Sequence, residues 1–214
     1  MLNSNEIEYA LQKLYELYPD AHCELNHSTP FELLIATVLS AQTTDKKVNQ
    51  VTEKVFKEYN TPYDFLKLTQ EELEIKIKEI GLYKSKAKNI LGLCKLLIEK
   101  YNGEVPKTID ELMTLPGVGK KTANVVVSNA YGVPALAVDT HVFRVSNRIG
   151  LSEGKNVEEV ENQLMENIPK NQWIKAHHTL IFHGRRVCDA RKPKCNECTI
   201  NSKCRFYLKG DSEK

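Results

Sequence analysis

Apolar positions recur at three- and four-residue intervals almost from end to end of the chain, the spacing of amphipathic helices. Ile7, Ala10, Leu11, Leu14 and Leu17 form the first stripe, with Ser4 placed to cap it and Pro19 to end it. Thr29-Pro30-Phe31-Glu32 reads as a capping box with proline at the first helical position. The helix beyond it, to about Leu39, is apolar on most sides, which predicts a central position. Ser40-Ala41-Gln42-Thr43-Thr44-Asp45 then interrupts with polar residues, and Asp45 is expected to cap the next helix, marked by Val48, Val51, Val55, Phe56 and Tyr59. Thr61 with Asp64, Thr69 with Glu72 and Thr108 with Glu111 signal three further starts, and Ala87, Ile90, Leu91, Cys94, Leu97, Ile98 and Tyr101 a long stripe. Asn156 with Glu159 opens a helix to about Asn167, and the only tryptophan, Trp173, is assigned to the core. No stretch alternates with period two for long, and Val125-Val126-Val127 lies within a helical spacing, so the expected fold class is all-α.

The chain is organised around residues 115–141, LPGVGKKTANVVVSNAYGVPALAVDTH. A glycine turn at Pro116-Gly117-Val118-Gly119 opens a helix that Gly132 and Pro134 stop. Gly117 and Gly119 can take φ > 0, and without Cβ atoms they let backbone N–H groups approach a ligand closely. Those groups sit at a helix N-terminus, a place that favours an anion such as phosphate. The P-loop spacing GxxxxGK[ST] is absent, which argues against a nucleoside triphosphate. Lys121 opposes the helix dipole and neighbours Lys120; both effects work against the ammonium form and favour a nucleophilic amine. The plainer reading is two phosphate-binding lysines on a solvated turn. A helix over residues 120–130 is roughly 16 Å long, and the eight residues that follow can span at most about 26 Å, so Asp139 can return beside Lys121. Asp139 is equally suited to cap a helix over residues 140–148.

The 214 residues, 41% hydrophobic and 27% charged, suffice for one large domain or two small ones. A net charge of only +2 means that any nucleic-acid footprint must come from local clustering. No leader pattern and no run long enough to span a membrane is present, so a soluble intracellular protein is expected. Cys188, Cys195, Cys198 and Cys204 give C-x6-C-x2-C-x5-C, which points to a metal in a reducing compartment; on spacing alone zinc and iron–sulfur both remain open. Cys23 and Cys94 read as ordinary thiols. Residues 184–205 hold seven Lys/Arg against two Asp/Glu, which suits phosphate binding as well as simple compensation of an anionic metal centre.

LPGVGKKTANVV followed by VDTHVFRVSNR resembles the helix-hairpin-helix and following aspartate of the endonuclease III family of DNA glycosylases, and the likeness runs from SAQTTD at Ser40 to the cysteine cluster. The resemblance implies two helical lobes with a cleft between them: a six-helix lobe bearing the hairpin, residues 22–132, and a terminal lobe, residues 1–21 and 133–214, bearing a [4Fe–4S] cluster loop at 188–204. It makes Lys121, not Lys120, the nucleophile, Asp139 its essential partner, and the four cysteines the cluster ligands. It places Gln42 in the gap left by a displaced base and Leu82 as an apolar wedge. Glu79-Ile80-Gly81-Leu82-Tyr83-Lys84 echoes the central turn, with Gly81 aligned on Gly117. Gly117, Gly119, Lys120, His141, Arg191 and Lys192 complete the expected DNA contacts.

The implied activity is a bifunctional glycosylase and abasic-site lyase acting on oxidised pyrimidines in duplex DNA, working as a monomer without a membrane, in the cytoplasm at the nucleoid of a bacterial or archaeal cell. Three rivals are open at this point. An adenine-specific mismatch relative carries a glutamate near the position of Thr37 and lacks the lysine; a thymine-mismatch relative usually replaces the lysine; a non-catalytic hairpin module would keep the turn alone.

Overall fold

The computed structural model describes residues 1–210; residues 211–214, the end of the expected terminal lobe, lie outside the described residues. Among the described residues every regular element is helical, in agreement with the all-α expectation. The chain divides into two compact units, Cys23–Val133 and a second formed by Met1–His22 with the chain from Pro134 onward. No helix among the described residues is long and apolar enough to cross a membrane.

The chain begins with α1 (Ser4–Leu17), part of the second unit. The first unit holds α2 (Pro30–Ser40), α3 (Asp45–Phe56), the short α4 (Pro62–Phe65) and α5 (Gln70–Lys76), the long α6 (Tyr83–Tyr101), α7 (Ile109–Met113) and α8 (Lys120–Tyr131). Helix α2 is buried from Phe31 through Leu39 and packs against α3, α6 and α8, so its all-round apolar surface is used. The remaining second-unit helices are α9 (Thr140–Ile149), α10 (Val157–Asn167), α11 (Trp173–Arg186) and the short α12 (Arg205–Leu208). Helix α11 lies against α9 and α1, burying Leu14, Val142, Val145 and Leu180 in one core.

Several helix starts fall one residue from the sequence expectation. Asn3, not Ser4, caps α1, because its side chain and that of Glu6 satisfy each other's backbone N–H groups. Thr44, not Asp45, caps α3: its extended backbone lets its hydroxyl accept from the Lys47 N–H at 3.3 Å, and Asp45 becomes the first helical residue, still favourable to the dipole. Thr29 caps α2 as expected, but the Glu32 carboxylate reaches back to the Ser28 N–H, so the reciprocal half of the box closes on the preceding residue. The buried stripe of α6 is Lys86, Ala87, Ile90, Leu93, Cys94 and Leu97, with Leu91, Ile98 and Tyr101 only half-buried; burial pushes the Cys94 thiol far up. Trp173 is half-buried at the edge of the second core, its indole N–H donating to the Ile168 carbonyl at 2.8 Å.

Candidate active site

The hairpin turn delivers two exposed lysines to the start of a helix. Gly117 has φ +77°, and a Cβ there would lie 3.0 Å from Asn89 on α6, so both conformation and space require glycine. Gly119 differs from Gly117: its φ is −96°, open to any residue, and a Cβ would meet nothing within 4 Å. Nothing inside the protein requires glycine at that position. The N-terminus of α8 has no side-chain cap and no acidic residue in its first turn, and Lys120 and Lys121 are its first two helical residues. Gly119→Ala should therefore leave the melting temperature nearly unchanged while weakening DNA binding. Gly117→Ala should cost about 1–2 kcal/mol of stability from the left-handed backbone alone; thermal melts beside titrations against duplex DNA distinguish the two.

Asp139 is the N-cap of α9, its Oδ1 accepting from the Val142 N–H at 2.7 Å, so the capping role is real. The buried return over residues 135–138 feeds it, held by a 2.8 Å contact between His177 Nδ1 and the Ala137 carbonyl. His141 is half-buried two residues on. Arg144 Nη2 lies 3.2 Å from His141 Nδ1. Burial pulls the His141 pKa below the usual imidazole value, opposed by Asp139 and by a backbone hydrogen bond to Gly184 and reinforced by Arg144 and Arg185. Arg144 also donates to the carbonyls of Gly184 at 2.9 Å and Cys188 at 3.1 Å, tying α9 to the start of the cysteine loop. No motif or spacing in the chain had marked Arg144.

Gln42 and Leu82 share an unusual backbone: both are left-handed, at φ 56° and 58°, and both are exposed, Leu82 by 60%. Leu82 is thus an exposed leucine in a backbone conformation that disfavours its side chain. The echo of the hairpin is shifted by one residue, since Leu82, not Gly81, is the left-handed N-cap of α6. The two loops are neighbours: a Cβ on Gly81 would lie 3.5 Å from the Gln42 carbonyl oxygen. Thr37, the position relevant to the adenine rival, is buried and spends its hydroxyl on the Leu33 carbonyl of its own helix.

The thiols of Cys188, Cys195, Cys198 and Cys204 are unbridged and line one pocket of about 330 Å³, together with Ile149, His183, Val187 and Ile200. Among the described residues no three His, Cys, Asp or Glu side chains form a group that could hold a single metal ion. Burial pushes the Cys198 thiol up to about 11 and raises Cys195 and Cys204, so thiolates here require a compensating cation. His183 Nε2 lies 3.6 Å from Cys198 Sγ, and Arg148 Nη1 3.6 Å from Cys188 Sγ. Arg148 also grips the loop by donating to the carbonyls of Asp189 at 2.6 Å and Ala190 at 2.9 Å. The Asp189 carboxylate accepts from the backbone N–H groups of Arg191 and Lys192, which hold it below the usual carboxylate range. The side chains of Arg191 and Lys192 are exposed.

Of the expected site residues, Gln42, Leu82, Gly117, Gly119, Lys120 and Lys121 belong to the first unit. Asp139, His141, Arg191, Lys192 and the four cysteines belong to the second.

Comparison with known proteins supplies the context for these features. Residues 35–170 match the family described as HhH-GPD superfamily base excision DNA repair protein. The chain is 55% identical to endonuclease III of Bacillus subtilis (strain 168) over 214 residues, 100% of this chain and 98% of that one. It is 51% identical to endonuclease III of Escherichia coli (strain K12), over 94% of this chain and 95% of that one. Its structure is similar to that of a trapped endonuclease III–DNA covalent intermediate, an estranged-adenine complex, with a TM-score of 0.94 and 55% identity over 99% of this chain and 100% of that one. With one match spanning more than half the chain and the others nearly all of it, the chain belongs to the endonuclease III family within the HhH-GPD superfamily of base excision DNA repair proteins.

Proposed function

We propose that the protein is a bifunctional DNA glycosylase and abasic-site lyase: it removes oxidised pyrimidines from duplex DNA and breaks the strand 3′ to the abasic site through a Schiff base on Lys121. The observation that carries this reading is an exposed lysine at an uncapped helix start, Lys121, in a chain so similar to a protein trapped in covalent union with DNA. The amine of Lys121 attacks C1′ of the deoxyribose; the N-glycosidic bond breaks and its electron pair leaves with the base, which takes up a proton. Asp139 stabilises positive charge on the sugar and accepts a proton from the attacking amine. The C1′–O4′ bond then opens, O4′ taking up a proton as the nitrogen lone pair forms the iminium; the iminium acidifies C2′, loss of that proton breaks the C3′–O bond and expels the 3′ phosphate, and water then frees Lys121 from the unsaturated aldehyde. Gly117, Gly119 and Lys120 hold phosphate and give positioning without reading sequence. Gln42 and Leu82 fill the space vacated by the extruded nucleotide. Arg191, Lys192 and His141 add contacts to the same duplex. The protein acts as a monomer in the cytoplasm, at the nucleoid.

Cys188, Cys195, Cys198 and Cys204 would hold a [4Fe–4S] cluster. Four cysteine thiols lining one shared pocket supply the donor set that such a cluster takes. When bound, the cluster supplies a four-point tether for the basic loop and no bond-making chemistry. Cys198→Ser should lower the iron content and visible absorbance, loosen the loop and weaken DNA binding; iron analysis beside binding titrations checks it.

Borohydride reduction during incubation with a duplex carrying an abasic site tests the function. A protein–DNA adduct, with 3′ strand scission when borohydride is omitted, is expected. An intact strand and no adduct would overturn the reading and leave a non-catalytic hairpin module.

A further inference from the structure

Lys86 is the only lysine on the buried face of α6 and is 5% exposed. Its ammonium donates to the Leu39 carbonyl at 2.9 Å and the Ala41 carbonyl at 2.6 Å. Leu39 lies in the last turn of α2 and Ala41 is its C-cap, so both oxygens are of the kind that a helix end leaves without an intrahelical partner. A cation there also complements the negative end of the helix dipole. Burial pulls the lysine below its ordinary range, yet two charge-assisted bonds are made by the protonated form. In sequence, Lys86 stands four residues from each of two other positions: after Leu82, whose carbonyl accepts the Lys86 N–H at 3.1 Å, and before Ile90 on the buried stripe.

One end of this side chain is thus rooted a single turn into α6, whose N-cap is the left-handed Leu82. The other end is fastened to the residue immediately before the left-handed Gln42. Two non-glycine residues in left-handed conformations are strained and persist only where the surroundings fix them. The Ser85 hydroxyl also binds the Leu82 carbonyl at 3.0 Å, and the Thr43 N–H binds the Ser40 carbonyl at 3.1 Å, but each of those bonds lies within its own loop. Lys86 joins one loop to the other.

We infer that Lys86 is a positioning residue for base extrusion: by clamping the end of α2 to the start of α6 it holds Gln42 and Leu82 as one preformed two-pronged wedge. The inference rests on the reading of those two residues as gap-filling groups. Rigid presentation matters because a prong that must first order itself spends binding energy that unstacking requires.

The test uses 2-aminopurine placed opposite an abasic site in a duplex, where its fluorescence reports unstacking of the orphaned base on binding. It is paired with single-turnover strand scission by the full, iron-loaded protein. Lys86→Met is expected to reduce the fluorescence step and slow scission at least about tenfold. Lys86→Arg, which keeps the charge and the donors, is expected to recover most of both. Adding Lys86→Met to a variant that already carries both Gln42→Ala and Leu82→Ala should slow scission less than twofold further, whereas an unrelated packing defect would multiply the losses. Should Lys86→Met fail to fold by circular dichroism, Lys86→Gln, which retains one donor group, takes its place in the same cycle. Full activity and a full fluorescence step in the neutral variant, or losses that multiply, overturn the clamp. If Leu82→Ala alone leaves the fluorescence step unchanged, it is the gap-filling reading that falls, a result distinct from failure of the clamp.

Discussion

Lys121→Ala is expected to leave no protein joined to abasic DNA after borohydride reduction and to slow strand scission at least ~10³-fold, because no Schiff base forms without the amine. Lys120→Ala is the informative neighbour. It sits one position earlier on the same helix start, equally exposed, and its loss should weaken binding while leaving the adduct intact once DNA is saturating. Neither substitution empties a core position, so melting temperatures should stay close to that of the parent protein. Single-turnover kinetics and denaturing gels read both effects. An adduct that survived in Lys121→Ala and vanished in Lys120→Ala would move the nucleophile by one residue and contradict the assignment.

Asp139→Asn separates two duties carried by one side chain. The asparagine oxygen can still accept from the Val142 N–H, and asparagine is as good a cap as aspartate, so α9 should form and the melting temperature should barely change. The negative charge and the proton acceptor are lost, and base removal should slow by ~10²–10⁴-fold. Asp139→Ala should show the same kinetic loss together with about 1 kcal/mol less stability, since the cap goes as well. Parallel melts and glycosylase assays give both numbers for each variant. A fully active Asp139→Asn would reduce Asp139 to a helix cap.

The pattern of apolar residues was enough to establish an all-helical fold among the described residues, because the longer helices bury stripes visible at three- and four-residue spacing and six starts carry a Thr or Asn followed three residues later by an acid. The motif from Leu115 to Asp139 singled out Lys121 and the hairpin glycines, and the cysteine spacing singled out one metal loop, because these groups act through short stretches of contiguous chain. Gly117 uses the left-handed freedom that a glycine offers and Gly119 does not, since a glycine in sequence does not say whether it is there for its conformation or for its missing side chain.

What lay beyond sequence reading is what depends on distant residues meeting. The left-handed backbone of Gln42 and Leu82, the Lys86 bonds to carbonyls 45 and 47 residues away, and the Arg144 and Arg148 grips on a loop some 40 residues later carry no periodic signature. A lysine on an apolar stripe was the one available hint of the clamp, and on its own it cannot name its acceptors. Local sequence fixes helix identity and the chemistry of a contiguous motif because those energies are set by near neighbours. The partners of a buried cation are fixed only when helices pack and exclude water, and that is a property of the folded chain.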